Sequence, residues 1–352
     1  MSSTGGSSVA GLTSAFSELC GRSFDQDTFA DINRKFAVKE YSIAHPSGGH
    51  GQISYYIPQP IPERMPVIVF APKLNCTKES YHSLLMYLAG GGYAVLSSTY
   101  KRGVFVDDAD RYNTLMAGYD AVIEMIKNNI DTTRIGFVGH SYGSGALPAI
   151  SWEFLMKRGW GQNGTFMFLM SPSYVHCFSQ NQFDSFPPNV NLIIQVYEDD
   201  HFNDYRIAED IFYSININPI CKDFLFVRNA SESFEPDYQF PECDDEEDIP
   251  FFCFAVLRPI EALAKYTFFK DTLAYKIALG NGNPLQVFMG CRKDGTPVMP
   301  MYSTDIPVFR NMKWLKKSPI GFFADLVNPV WPVTMFSSFD DKRNERRFCP
   351  VP

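Results

Sequence analysis

Five consecutive residues, Gly139-His140-Ser141-Tyr142-Gly143, have the spacing G-x-S-x-G, inside the stretch RIGFVGHSYGSGA that runs from Arg134 to Ala146. An apolar run leads in, and GSGALPAISWEFLMKRG follows with the composition of a helix. A serine on a sharp strand-to-helix turn stands clear of the strand end. The helix N-terminus behind it presents free N–H groups and a positive dipole end to a developing oxyanion. The flanking glycines remove side chains that would clash in so tight a turn. The chemistry this suggests is nucleophilic acyl transfer. The ordinary alternative is a Gly-rich packing turn, and the surrounding pattern decides between them.

That pattern is one of strands alternating with helices. FAVKEYSI and GQISYYI flank HPSGG as a hairpin. VIVFA, YAVLSSTY, RIGFVG, TFMFLMS, NLIIQVYE and KDFLFV are short, continuously apolar runs, as expected of strands covered on both faces. KESYHSLLMYLAGGG, DADRYNTLMAGYDAVIEMIKNN and DYRIAEDIFYSI carry apolar residues at helical spacing. The prediction is an α/β fold with a mostly parallel, doubly wound sheet and right-handed crossovers. Three regions are expected: a polar lead over 1–30, the α/β core over 31–240, and a C-terminal extension over 241–352. In the extension, PECDDEEDIP reads as a solvated acidic loop and RPIEALAKYTFFKDTLAYKIALG as one or two helices. LQVFMGCRKDGTPVMPM reads as a hairpin turning at Asp294-Gly295. FFCFAVLRPIEALAKYTFF fits three roles: a lid over Ser141, a helical pair packed on the sheet, or a homodimer surface.

Four segments resemble the α/β-hydrolase superfamily: MPVIVFAPKLNCTKESYHSLLMYLAGGGYAVLSSTY, DTTRIGFVGHSYGSGAL, NLIIQVYEDD and CKDFLFVRNASESF. Within it they look most like the branch of dienelactone hydrolases, cutinase-like polyester hydrolases and platelet-activating-factor acetylhydrolases. The resemblance spans roughly residues 36 to 235, the size of one domain. It implies an α/β-hydrolase fold with Ser141 as nucleophile and an acid in YEDDHF, Asp200 first and Asp199 as fallback. It also implies oxyanion donors at the backbone N–H groups of Tyr142 and Leu74. The Leu74 loop usually reads Pro-Gly-aromatic, and here it reads Pro72-Lys73-Leu74. The lysine either meets an anionic substrate or points to solvent.

The same resemblance places a histidine after KDFLFV, in a loop of the form G-x-S-H. This chain has RNASESF there, with Glu232 in the histidine's place. The six histidines are His45, His50, His82, His140, His176 and His201, so none lies further on. A serine hydroxyl needs a base within hydrogen-bond reach. Imidazole suits that task at about pH 6.5, whereas a glutamate starts near about 4.3 and needs burial or a like charge to raise it. Three arrangements follow: a Ser141–Glu232–Asp200 triad, a histidine from elsewhere (His201 first, then His176), or a pocket that has lost its base and only binds. His140 reads as a structural neighbour of the turn.

The remaining composition narrows the class. The chain has 352 residues, 31 basic and 39 acidic, with net charge −8 and no basic block, which argues against a nucleic-acid partner. The expected partner is a small-molecule ester or acyl substrate, with no cofactor. Eight scattered cysteines, never as C-x-x-C, read as free thiols of a reducing compartment, and no histidine stands near a cysteine pair at metal-ligand spacing. The first residues lack a basic segment and a long apolar core, and no run reaches membrane-spanning length. A soluble, cytoplasmic protein is the expectation. The 31 phenylalanines fit an apolar acyl pocket or simply a Phe-rich core, and the core is favoured.

Overall fold

Continuous apolar runs separated by helices leave the chain one economical arrangement, a sheet buried on both faces. The structure, a computed structural model, describes residues 35–48, 51–76, 78–103, 105–198, 200, 203, 205–228, 252–291, 295–305 and 307. The expected lead over 1–30 and most of the chain after 305 lie outside these residues. The strands are β1 (Ala37–Ala44), β2 (Gln52–Gln59), β3 (Met65–Ala71), β4 (Ala94–Ser97), β5 (Ile130–His140), β6 (Gly164–Met170), β7 (Asn191–Tyr197), β8 (Lys222–Val227) and β9 (Tyr302–Thr304). The helices are α1 (His82–Gly90), α2 (Asp108–Ile126), α3 (Tyr142–Trp152), α4 (Gln180–Asp184), α5 (Tyr205–Ser214), α6 (Arg258–Phe269), α7 (Thr272–Ala278) and α8 (Pro284–Val287).

One nine-stranded sheet runs in the order β1-β2-β4-β3-β5-β6-β7-β8-β9. The six strands from β4 to β8 are parallel, whereas β1, β2 and β9 pair antiparallel at the two edges. Period-two alternation splits the strand side chains between two cores. Val67, Val69, Phe137 and Leu169 face α2, α3 and α5, while Ile68, Val138, Phe166 and Phe168 face α1, α6 and α7. The buried phenylalanines lie in these two cores, as expected of a Phe-rich core.

The order of connections matters for function. From β3 the chain crosses through α1 to β4 on one side, and from β5 it crosses through α3 to β6 on the other. β3 and β5 are neighbours, so the crossovers diverge between them and leave a crevice beyond their carboxyl ends. The Ser141 turn follows β5 directly, and the Leu74 loop follows β3 directly.

The extension packs on the sheet. Ile260, Leu263 and Ala264 of α6 share a core with Ile68, Val138 and Phe168, and β9 adds an edge strand to β8. That is the packing role among the three expected for FFCFAVLRPIEALAKYTFF. The expected hairpin over LQVFMGCRKDGTPVMPM is different in the structure. Pro284 opens α8, and the Asn283 side chain accepts from Leu285 N–H, so the first part coils into a short helix. Beyond it the two arms are joined by a bridge between Cys291 and Pro297 and by backbone bonds from Val298 N to Gly290 O and from Met301 N to Val287 O, both at 2.9 Å, while Asp294 of the expected turn lies outside the described residues. Free thiols hold for Cys76, Cys177, Cys221 and Cys253, but Cys291 is disulfide-bonded. Among the described residues no helix is long and apolar enough to cross a membrane.

Tight packing between β5 and β6 is tested at Gly136. A Cβ there would lie 2.2 Å from two ring carbons of the fully buried Phe166. Gly136→Ala is expected to lower the stability measured by urea unfolding by about 1–3 kcal/mol, the usual cost of overpacking.

Candidate active site

Ser141 has φ 53° and ψ −115°, a left-handed conformation that a side chain rarely adopts. Backbone bonds hold it there. Its N–H donates to Met170 O at 2.9 Å, and its carbonyl accepts from Gly145 N and Ser173 N, both at 3.2 Å. The glycines that flank it are steric requirements. A Cβ on Gly143 would meet Ala71 O at 2.0 Å and Pro72 O at 2.5 Å, and a Cβ on Gly145 would meet Tyr174 O at 2.0 Å. The end of β3 is therefore pressed directly onto the turn. Two buried tyrosines fix that end: Tyr119 donates to Phe70 O at 2.7 Å and Tyr100 to Pro72 O at 3.0 Å.

Among the described residues nothing accepts from the backbone N–H of Tyr142 or of Leu74. One stands at the start of α3 and the other in the loop after β3. The neighbouring Lys73 N–H is engaged, donating to the Tyr81 hydroxyl at 3.2 Å. Pro72, Leu74, Cys76, Thr99, Tyr100 and Arg102 help to line a pocket over the ends of β3 and β4.

The serine hydroxyl donates to Asn203 Oδ1 at 3.0 Å. Asn203 is in turn held by Asp200, its N–H reaching Oδ1 at 2.9 Å and its Nδ2 reaching Oδ2 at 3.1 Å. A carboxylate only accepts, so the amide must turn its NH₂ to Asp200 and its carbonyl to Ser141. Asp200 lies in the loop after β7, and Asn203, not among the candidates from sequence, connects it to the serine. The spacing Asp200-x-x-Asn203 signals an N–H capped by a carboxylate three residues back, but says nothing of where the amide points. Asp199, His201 and Glu232 lie outside the described residues.

The two described histidines near the turn are occupied elsewhere. His140 Nδ1 lies 2.7 Å from the Tyr81 hydroxyl, and burial, followed by the charge of Lys73, pushes its pKa down to about 3. It is a neutral structural group, as expected. His176 was the second candidate base, and it does not reach Ser141. Its Nε2 lies 3.3 Å from Tyr142 O, its ring stacks on Tyr142 at 4.3 Å, and burial lowers its pKa. Its Nδ1 has no partner among the described residues.

Below the turn lies a buried polar layer. The Tyr142 hydroxyl donates to Asp108 Oδ1 at 2.7 Å, and the Tyr174 hydroxyl to the same oxygen at 3.0 Å. Arg111 stands 3.5 Å from that carboxylate. Burial, and next the nearby Tyr174 and Asp108, raise the Tyr142 pKa, so it stays a donor. This layer holds the residue whose N–H adjoins Ser141. No family model matches the chain, and no curated protein matches it in a sequence search.

Two predictions test the geometry. Ser141→Gly and Ser141→Ala both lose the hydroxyl, but only glycine tolerates this backbone. The glycine variant is expected to be the more stable by about 1 kcal/mol in denaturant melts, the strain relieved exceeding the added chain entropy. The second concerns His140. Its folded pKa of about 3 lies below the unfolded value of 6.5. Between them the unfolded chain binds the proton and the folded chain does not. Its contribution to stability is full above 6.5 and is lost as pH falls toward 3. In His140→Gln the acid slope of stability against pH is expected to fall by about one proton.

Proposed function

We propose that this chain performs serine-hydrolase-type acyl transfer on a small or lipophilic carboxylic ester, on the α/β-hydrolase plan that its sequence resembles. The observation that carries the reading is Ser141. A strained, left-handed serine at the end of β5, in the crevice between diverging crossovers, has its hydroxyl linked to the carboxylate after β7. Strain of this kind persists where the surrounding structure enforces it, and it clusters at reactive sites. Ser141 attacks the ester carbonyl, and the N–H groups of Tyr142 and Leu74 receive the oxyanion. The hydroxyl proton needs an acceptor, and the groups proposed for it are Asp200, Glu232 and the imidazole of His201. The reaction needs no cofactor.

A second reading is a degenerate member of the same fold that binds a small apolar ligand or a protein partner. It is favoured by one observation, that the described acceptor of the Ser141 hydroxyl is an amide, which is a poor base. The disulfide at Cys291 weighs against the reducing, cytoplasmic setting expected from the scattered cysteines.

An alkyl fluorophosphonate separates the two. Acyl transfer predicts covalent labelling of Ser141, located by peptide mass spectrometry and absent in Ser141→Ala. A wild-type protein that binds the probe reversibly and never forms the adduct belongs to the second reading.

A further inference from the structure

Asn203 lies between the hydroxyl of Ser141 and the carboxylate of Asp200 and touches both through one amide. The chain of atoms is continuous: Ser141 Oγ–H to Oδ1 at 3.0 Å, through the amide carbon to Nδ2, and Nδ2–H to Asp200 Oδ2 at 3.1 Å. The backbone N–H of Asn203 donates to the other carboxylate oxygen at 2.9 Å, so Asp200 holds both the residue and its amide in register. The two described histidines that border the turn are committed to Tyr81 and to the Tyr142 carbonyl.

We infer that Asn203 is a catalytic residue that relays the serine proton to Asp200; this deepens the acyl-transfer reading and rests on it. An isolated amide carbonyl is too weak a base to keep that proton. An amide that can release a different proton from its nitrogen to a carboxylate has no need to keep it. As the Oγ–carbonyl bond forms, the Oγ–H bond breaks and the proton passes to Oδ1. Double-bond character moves from C–Oδ1 to C–Nδ2, and an Nδ2 proton passes to Oδ2 of Asp200. Asn203 is then in its imidic acid form and Asp200 is a neutral acid. When the tetrahedral intermediate collapses, the leaving oxygen takes the proton from Oδ1 and Nδ2 recovers its own from Asp200. Amide and carboxylate are restored, and the same cycle serves the water that releases the acyl group. Each step conserves protons, and the net acceptor is a carboxylate.

The relay is tested by the rate at which the alkyl fluorophosphonate labels Ser141 in the full chain. Asn203→Ala and Asp200→Asn are each expected to slow labelling by about 10²-fold, within the range of lost general-base catalysis. The double variant should be no slower than either, because the two act as one unit. Asn203→Asp keeps the side-chain shape, so misfolding does not confuse its result. It brings two carboxylates together, and one of them retains a proton. Its labelling rate should therefore fall on the acid side over a range displaced upward from that of the wild type. The wild-type profile should lack an inflection near the imidazole value of about 6.5. Wild-type labelling with Asn203→Ala at full rate, or loss of labelling in Glu232→Gln or His201→Ala with Asn203 variants intact, overturns the relay alone. Failure of the wild type to label overturns the acyl-transfer reading and the relay together.

Discussion

The pressure of the β3 end on the turn after β5 governs this site. The carbonyl oxygens of Ala71 and Pro72 lie where a side chain on Gly143 would be, so α3 can begin only with glycine at its second position. That contact brings the loop carrying Leu74 beside the residue carrying the candidate nucleophile. It also leaves Ser141 little room to relax from φ 53°, since its N–H and carbonyl are bonded to the backbone of β6 and of the loop after it. Parallel pairing of β3 with β5 sets the distance, from Val67 opposite Ile135 to Ala71 opposite Gly139. The crevice between the crossovers is thus a product of strand order, and the strained serine is a product of close packing within it.

Polar groups under the turn do a second job. Burying Asp108 beside α3 would be costly if its carboxylate were unmatched, and two tyrosine hydroxyls and Arg111 meet it. The rings of Tyr100, Tyr142, Tyr174 and His176 pack against one another around this acid. Tyr142 is consequently held at both ends, by its hydroxyl and by the helix it begins. For the oxyanion role proposed for its N–H, such restraint leaves no reorganisation for the moment of reaction.

The histidines near the turn show how burial settles a residue's chemistry. His140 adjoins Ser141 in the chain, yet β5 turns its ring toward Tyr81, and the dry surroundings keep it neutral. His176 lies behind Tyr142, not in front of Ser141. The position beside the hydroxyl is taken by a short amide whose acid lies three residues earlier in the same loop.

The sequence by itself determined the strands, most of the helices and the turn, because these depend on local periodicity and on glycine spacing. The apolar runs that became β3 to β8, and the G-x-S-x-G at the end of β5, were all legible in it. The helix at Pro284 was not, because LQVF suits either state and the cap at Asn283 decided it. Nor was the fate of the cysteines, since a disulfide depends on which chain segments meet, and spacing along the chain does not report that. Tertiary structure alone decided that residues 252–269 cover the sheet, that His176 faces away from the serine, and that Asn203 joins Ser141 to Asp200. These are contacts between residues far apart in the chain, such as the 62 positions that separate Ser141 from Asn203. A single sequence records which side chains are present, whereas their meeting is set by how the sheet is ordered and how the loops above it pack.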